Sequence, residues 1–84
     1  MTDEKTIRET LRRFILNDIA KDPGYPLQDD ENIIDAGLMD SFALAEFGVF
    51  VDKTYKVYIP DPELTVANMG TLNQMVARVL AGLL

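Results

Sequence analysis

The stretch of sequence that decides the fold runs from residue 40 to residue 56 and reads DSFALAEFGVFVDKTYK. Asp40 and Ser41, at its start, are both good helix N-cap residues. At about 100° per residue, one side of a helix over this stretch collects large apolar side chains, namely Leu44, Phe47, Val51 and Tyr55. We therefore predict a helix that begins at Asp40 or Ser41, ends near Lys56 and is buried along this side.

The opposite side of the same helix is also apolar, because it carries Phe42 and Val49. A helix that is apolar on two sides is either fully buried or offers one side to a partner. Glu46 and Lys53 share this side and argue against full burial. The alternative is that the preceding loop covers Phe42 and Val49. We expect a partner-binding surface made of Phe42, Glu46, Val49, Lys53 and, at its edge, Asp35 and Asp40.

The sequence before this helix predicts another helix and a long loop. Residues 3–20 are amphipathic, and their apolar face consists of Ile7, Leu11, Phe14, Ile15 and Ile19. The Asp-Pro-Gly run at residues 22–24 ends this helix, since Pro cannot continue it and Gly accepts positive φ. A connection as long as residues 22–39 is unusual unless it is functional or pinned to the core. We expect an ordered loop with a turn of helix around residues 32–35.

Two further helices are predicted after the central one. Pro62 suits the first position of a short helix that ends near Ala67, with Asp61 as its cap. A last helix opens at residues 70–71 and carries one apolar stripe, formed by Leu72, Met75, Val76, Val79, Leu80 and Leu83. Residues 55–59 are β-branched or aromatic at most positions, so a short strand is the alternative there.

These elements predict an all-α fold. We expect a four-helix bundle of three longer helices and one short third helix, with a long loop between helices 1 and 2. We expect it to be a monomer and a single domain over residues 1–84, a size that suits one hydrophobic core. The side chains expected in that core are Leu11, Phe14, Ile15, Leu44, Phe47, Val51, Val76 and Leu80.

The composition argues against several classes of protein. The chain has no His and no Cys, so the commonest general base and thiolate metal ligands are missing. We therefore expect no catalytic residue, no enzyme activity and no metal site. The acidic run at residues 29–32 lacks the ligand spacing and the glycine of an EF-hand, so we discount a calcium site. Without a long apolar run or an apolar leader, we expect no membrane insertion and a cytoplasmic location.

Charge is distributed unevenly along the chain, whose net charge is -6 from 14 acidic and 8 basic residues. Eight of the acids and none of the bases lie between Asp22 and Asp52, which leaves six acids and eight bases elsewhere. Such a concentration of negative charge repels nucleic acid and attracts basic partner surfaces. The plain alternative is a solvated face that keeps the protein in solution.

Several motifs resemble those of a known family. Residues 37–42, GLMDSF, are similar to the Gly-x-Asp-Ser-Leu signature of acyl carrier proteins. Residues 58–61, YIPD, are similar to the family's I-P-D element, here with Ile 18 residues after the serine. Residues 62–65 and 69–72 resemble its short third helix and the entry to its fourth, so the likeness covers nearly the whole chain.

The resemblance implies a role and a cofactor. It implies that Ser41, flanked by Asp40, receives a covalent 4′-phosphopantetheine arm from coenzyme A through a phosphopantetheinyl transferase. The arm would carry acyl thioesters of fatty-acid, polyketide or related specialised biosynthesis to loading and processing enzymes with basic docking surfaces. The phosphate would lie at the N-terminus of a helix, a placement that contributes about 0.3–1 kcal/mol. We expect a free-standing acyl carrier of this type.

Other readings of these motifs stay open. Taken alone, Ser41 is typical of a plain N-cap residue. The chain could be a peptidyl or aminoacyl carrier, although Asp40 favours an acyl carrier because peptidyl carriers more often have His before the serine. It could also be an unmodified helical interaction module. Phe42 in place of Leu, together with few acids in the helix after Ser41, favours a specialised carrier. Gly48 costs the helix roughly 1 kcal/mol and indicates a packing or access reason.

Overall fold

The computed structural model describes residues 3–84, so Met1 and Thr2 of the expected domain lie outside the described residues. The first helix is α1 (Glu4–Arg13), which continues into a π-helical segment (Phe14–Ile19). The later elements are α2 (Ser41–Tyr55), a 3-10 turn (Asp61–Glu63), α3 (Val66–Met69) and α4 (Leu72–Leu83). This confirms the predicted all-α bundle with a long loop before its second helix. Residues 3–84 contain no strand, so the strand alternative for residues 55–59 is wrong.

The first helix changes its hydrogen-bond pattern halfway along. From Phe14 onward it is π-helical, and the N–H of Ala20 bonds to the carbonyl of Ile15 at 2.8 Å. More residues complete each turn of a π-helix, so the predicted 3.6-residue face does not hold here. Leu16 is therefore buried next to Ile15. Phe14 is only partly buried, which corrects the prediction that it belongs to the core.

The short third helix is divided into two pieces. Asp61–Glu63 forms the 3-10 turn, and Leu64 then takes a non-helical backbone conformation. Thr65 starts α3 instead, because its hydroxyl accepts a hydrogen bond from the N–H three residues later, at 3.2 Å. The predicted single helix, with Asp61 as its cap and Pro62 at its first position, is wrong in this detail.

One hydrophobic core joins the helices and the long loop. Six of the eight predicted core residues are buried, while Phe14 and Leu80 are partly buried and pack against the core. Phe47 has the largest of the fully buried side chains, which confirms the predicted inner side of α2. Side chains with no exposed area are Ile7, Leu11, Ile15, Ile33, Phe47, Val51, Leu72, Met75 and Val79.

The long loop is tied to the start of α4 by two backbone hydrogen bonds. The N–H of Ile33 donates to the carbonyl of Gly70 at 2.7 Å, and the N–H of Asn73 donates to the carbonyl of Asp29 at 3.0 Å. The side chains of Leu27 and Ile33 are buried in the core. The prediction of an ordered loop is confirmed, since both its backbone and its apolar side chains are held.

Basic side chains of α1 hold the same loop from the other side. Asp29 accepts from Arg12 and lies 3.5 Å from a guanidinium nitrogen of Arg8. Arg8 also donates to Glu4 at 2.7 Å and to the Asn73 side chain at 2.6 Å. The hydrogen bond to Glu4, and then the charge of Asp29, raise the pKa of Arg8 above its usual value. The carboxylate of Asp29 is therefore paired with arginines of α1, whereas the acids nearer Ser41 form no such pair within residues 3–84.

Replacing Phe47 by Ala should reduce the free energy of unfolding by about 3–5 kcal/mol, because it empties the largest buried site of the core. Urea denaturation followed by circular dichroism measures the loss. The matched control is Phe42→Ala on the same helix, which should change stability by less than about 0.5 kcal/mol because Phe42 is exposed. A loss below about 1 kcal/mol for Phe47→Ala would contradict the described core.

Candidate functional site

A glycine with positive φ ends the helical turn that precedes α2. The side chain of Asn32 starts this turn by accepting from the N–H groups of Ile34 and Asp35, at 3.1 and 2.9 Å. Gly37 ends it with φ 81°, the left-handed region that favours glycine. Its N–H bonds to the carbonyl of Ile34 at 3.0 Å, as in a Schellman motif. The glycine of residues 37–42 therefore turns the chain toward the start of α2.

The other half of the Schellman motif runs from the next residue. The N–H of Leu38 donates to the carbonyl of Ile33 at 3.1 Å. The same Ile33 is the residue whose N–H bonds to α4's entry at Gly70. The turn before α2 and the anchor to α4 therefore share one residue, which fixes the direction in which the chain approaches α2.

Asp40, rather than Ser41, is the N-cap of α2. Its carboxylate accepts from the N–H of Ala43 at 2.9 Å, and its backbone carbonyl accepts from the N–H of Leu44 at 3.0 Å. Ser41 is the first residue of the helix, and its side chain is exposed. The interpretation of Ser41 as a plain N-cap residue is therefore wrong. The cap is supplied by its neighbour, which leaves the hydroxyl accessible at the positive end of the helix dipole.

A groove of about 640 Å³ runs along the residues that flank Ser41. The loop and α2 line one side of it with Met39, Asp40 and Phe42. The end of the first helix lines the other side with Ile19 and Lys21. Ser41 itself does not line the groove, but both of its neighbours do, so an arm attached to its exposed side chain would have space beside it.

The predicted partner surface lies on the exterior of the protein. Phe42 is 81% exposed and Val49 is 55% exposed, so the alternative in which the loop covers them is wrong. Glu46, Lys53 and Asp35 are exposed as well. The structure thus brings the apolar and charged residues of this side of α2 together in solvent.

Two phenylalanines lie beside this surface, a place that the sequence does not predict for either of them. Phe14 and Phe50 stack with their ring centroids 4.1 Å apart and their planes at 13°. Together with Ala45 and Val49 they line a second groove, of about 430 Å³. Phe14 lies at the edge of the core, at the first residue of the π-helical segment, and its ring packs on Phe50. The available sequence signal was that Phe50 lies between the two apolar sides of α2.

Gly48 has a packing role. A side-chain carbon at this position would lie 2.9 Å from a methyl carbon of Leu64. Leu64 lies between the 3-10 turn and α3, where its backbone is not helical, and its side chain packs against the core. The glycine therefore leaves room for the end of the Leu64 side chain against α2, and a methyl group at position 48 would require that side chain to shift.

Three acidic residues near Ser41 form no ion pair within residues 3–84. Asp35 and Glu46 are exposed, and Asp40 serves only as a cap. By contrast, the carboxylate of Glu31 accepts from the hydroxyl of Tyr25, which raises the pKa of that tyrosine. The carboxylates of Asp35, Asp40 and Glu46 are therefore more available to a partner than those of Asp29 and Glu31 in the middle of the loop.

Two other kinds of site are absent from residues 3–84. Residues 3–84 hold no group of three or more His, Cys, Asp or Glu side chains that could bind a metal ion. No helix in this part of the chain is long and apolar enough to cross a membrane. The expectations of no metal site and no membrane insertion stay predictions.

Replacing Gly37 by Ala should reduce the free energy of unfolding by about 1–2 kcal/mol, because a residue with a side chain is strained at φ 81° although nothing crowds the site. Gly24→Ala is the matched control, since this glycine is equally uncrowded and lacks the positive φ. It should be neutral or slightly stabilising. Thermal unfolding of both variants measures the difference. Equal melting temperatures for the two variants would contradict the described turn.

Comparison with known proteins identifies the family. Over 67 residues the chain is 39% identical to the D-alanyl carrier protein of Lactobacillus helveticus, covering 77% of this chain and 81% of that protein. It is 37% identical to the one from Lactobacillus acidophilus over the same shares. It is 27% identical to the one from Streptococcus pyogenes over 79 residues, covering 94% of this chain and 92% of that protein. No family model matches.

These relatives agree with the fold and the motifs described above. The cofactor of such carriers is a covalently attached 4′-phosphopantetheine arm. An identity of 39% over most of both chains is high enough to assign this chain to the family of that relative. The chain belongs to the family of small phosphopantetheine-binding carrier proteins that includes the D-alanyl carrier proteins.

Proposed function

We propose that this protein is an aminoacyl carrier whose arm is attached at Ser41 and whose cargo is D-alanine. The observation that carries the attachment site is the exposed Ser41 at the first position of α2, capped by Asp40. Ser41 is also the only serine in the chain. The cargo is supported by the names of the relatives, which are D-alanyl carrier proteins.

The sequence alone favoured a different cargo. Asp40, the residue before the serine, favours an acyl carrier, and its expected setting is fatty-acid, polyketide or related specialised biosynthesis. The relatives support the aminoacyl alternative and give no support to those two pathways. Asp40 caps α2 through a hydrogen bond to Ala43, so its identity is explained by the helix and does not report the cargo.

The residues of the site suit the chemistry of attachment. In that step the Ser41 hydroxyl would displace the nucleotide half of coenzyme A from the phosphorus of the arm. One oxygen–phosphorus bond would form and one would break, and the hydroxyl proton would pass to the transferase. When bound, the arm supplies a terminal thiol that holds the cargo as a thioester. The N-terminus of α2 favours the new phosphate by about 0.3–1 kcal/mol.

Partner enzymes would meet the protein on the outer side of α2. We propose that Phe42, Val49 and Glu46 contact them, with Lys53, Asp35 and Asp40 at the edges. The exposed acids favour partners with basic rims, such as the transferase and the enzyme that activates the amino acid. Charge complementarity of this kind raises the rate of encounter more than it prolongs the complex, which suits a carrier that visits several enzymes.

The Ser41→Ala variant should fold with an unchanged melting temperature and gain no arm, because the hydroxyl is outside the cap and exposed. Intact mass after incubation with coenzyme A and a phosphopantetheinyl transferase gives the result. The wild-type chain should gain one arm under the same conditions. The proposed attachment site would be wrong if the Ala variant gained an arm or if the wild-type chain gained none.

The cargo is tested on protein isolated from its own cells under acidic conditions that preserve thioesters. The intact mass should exceed that of the arm-bearing protein by one alanyl group. Hydrolysis followed by chiral chromatography should release D-alanine, whereas L-alanine would contradict the stereochemistry. A fatty-acyl or polyketide mass would show that the carrier assignment holds and the proposed cargo is wrong.

Replacing Val49 by Asp should leave the melting temperature nearly unchanged and slow transfer of the arm to Ser41 or docking of the activating enzyme several-fold. The reason is that Val49 is exposed and can contribute only to a partner contact. Leu44→Asp is the matched control on the inner side, where a buried charge should unfold the domain. If Val49→Asp changes neither stability nor partner kinetics, the outer side of α2 is not the docking surface.

A further inference from the structure

The end of the first helix holds a lysine in an unusual backbone conformation. Lys21 has φ 54°, which is uncommon for a residue with a side chain. The neighbouring backbone is fixed by hydrogen bonds, from Ala20 N–H to the carbonyl of Ile15 at 2.8 Å and from Asp22 N–H to the carbonyl of Leu16 at 2.7 Å. The position of Lys21 relative to the bundle is therefore set by the π-helical segment before it.

This lysine lines the groove beside Ser41. It faces the same space as Asp40 and Phe42, the two residues that flank the serine in sequence. Among the described residues that line this groove, Lys21 is the only base. Asp18, Asp40 and Glu46 are the acids there. Within residues 3–84 Lys21 forms no salt bridge, and its side chain is exposed.

The charges around the groove make this one base significant. A phosphodiester on Ser41 adds a negative charge to a region that already holds three carboxylates, and like charges at short range repel. The segment from Asp22 to Asp52 contains no base, so it cannot supply a compensating charge. The ammonium group of a lysine is a compact donor that pairs well with phosphate.

We infer that Lys21 is the residue of this chain that contacts the phosphate of the arm and so positions the arm along the groove. This inference rests on the proposed attachment at Ser41. Lys21 acts here as a positioning residue and takes no part in the transfer itself. The contact restrains the first bonds of the arm and leaves its thiol end free to reach partner enzymes.

The test compares Lys21→Gln with Lys56→Gln in arm-bearing protein. Lys56 is the matched control because it has the same left-handed conformation, with φ 61°, but lies at the end of α2 and away from the groove. Each variant is first converted with coenzyme A and a transferase, and its intact mass is recorded. Phosphorus NMR then measures the chemical shift of the phosphodiester in the wild type and in each variant.

The phosphorus resonance should move in Lys21→Gln and stay at the wild-type position in Lys56→Gln. Lys21→Arg should keep the wild-type position, because it retains the positive charge. The gain in melting temperature from unmodified to modified protein should be smaller for Lys21→Gln than for either control. Comparing modified with unmodified protein of each variant separates this effect from any loss of stability in the variant itself.

Two results would overturn the inference, and they can be told apart. If all chains gain the arm but neither the phosphorus shift nor the change in melting temperature depends on Lys21, the arm is attached and Lys21 does not hold it. If the wild-type chain gains no arm and shows no phosphorus resonance, the attachment at Ser41 fails and the inference fails with it.

Discussion

Two backbone hydrogen bonds between the long loop and the start of α4 are the constraint on which the site depends. Ile33 donates to Gly70, and Asn73 donates to the carbonyl of Asp29. The turn that follows Ile33 ends at Gly37 and leads the chain to α2, so the position of Ser41, the proposed attachment residue, follows from these contacts. Without them the loop would be long and free, and ordering it at each encounter would cost conformational entropy.

The second helix has a buried side that stabilises the fold and an exposed side to which we assign partner binding. Its inner side fills the core with Phe47, and its outer side leaves Phe42 and Val49 in solvent. An exposed apolar residue contributes little to folding, so the outer side can vary without unfolding the domain. In the proposed function, the exposed acids near the start of the helix would add a long-range attraction to basic partner surfaces, and Phe42 and Val49 would supply the apolar contact.

The sequence predicted the regular parts of the fold, and it failed where tertiary contacts override a periodic pattern. The helix period of α2 correctly separated Phe47 from Val49, because the apolar residues follow it without interruption. The same rule placed Phe14 in the core, whereas in the structure it lies at the core's edge and stacks on Phe50, a contact across the fold that the helix period does not show. Gly48 faces the side chain of Leu64, a contact across the fold that local sequence does not reveal. The motif does not indicate the proposed cargo either, because Asp40, the residue before Ser41, caps the helix.

The central claim is that the site is formed before any arm is attached. Amide hydrogen exchange of the unmodified protein, followed residue by residue by NMR, tests it most directly. The N–H groups of Ile33, Leu38 and Ala43 donate hydrogen bonds in the anchor, the turn and the helix cap respectively. The account predicts that all three exchange far more slowly than an unstructured chain. Exchange of Ile33 and Leu38 at the rate of an unstructured chain, with the core still protected, would contradict it.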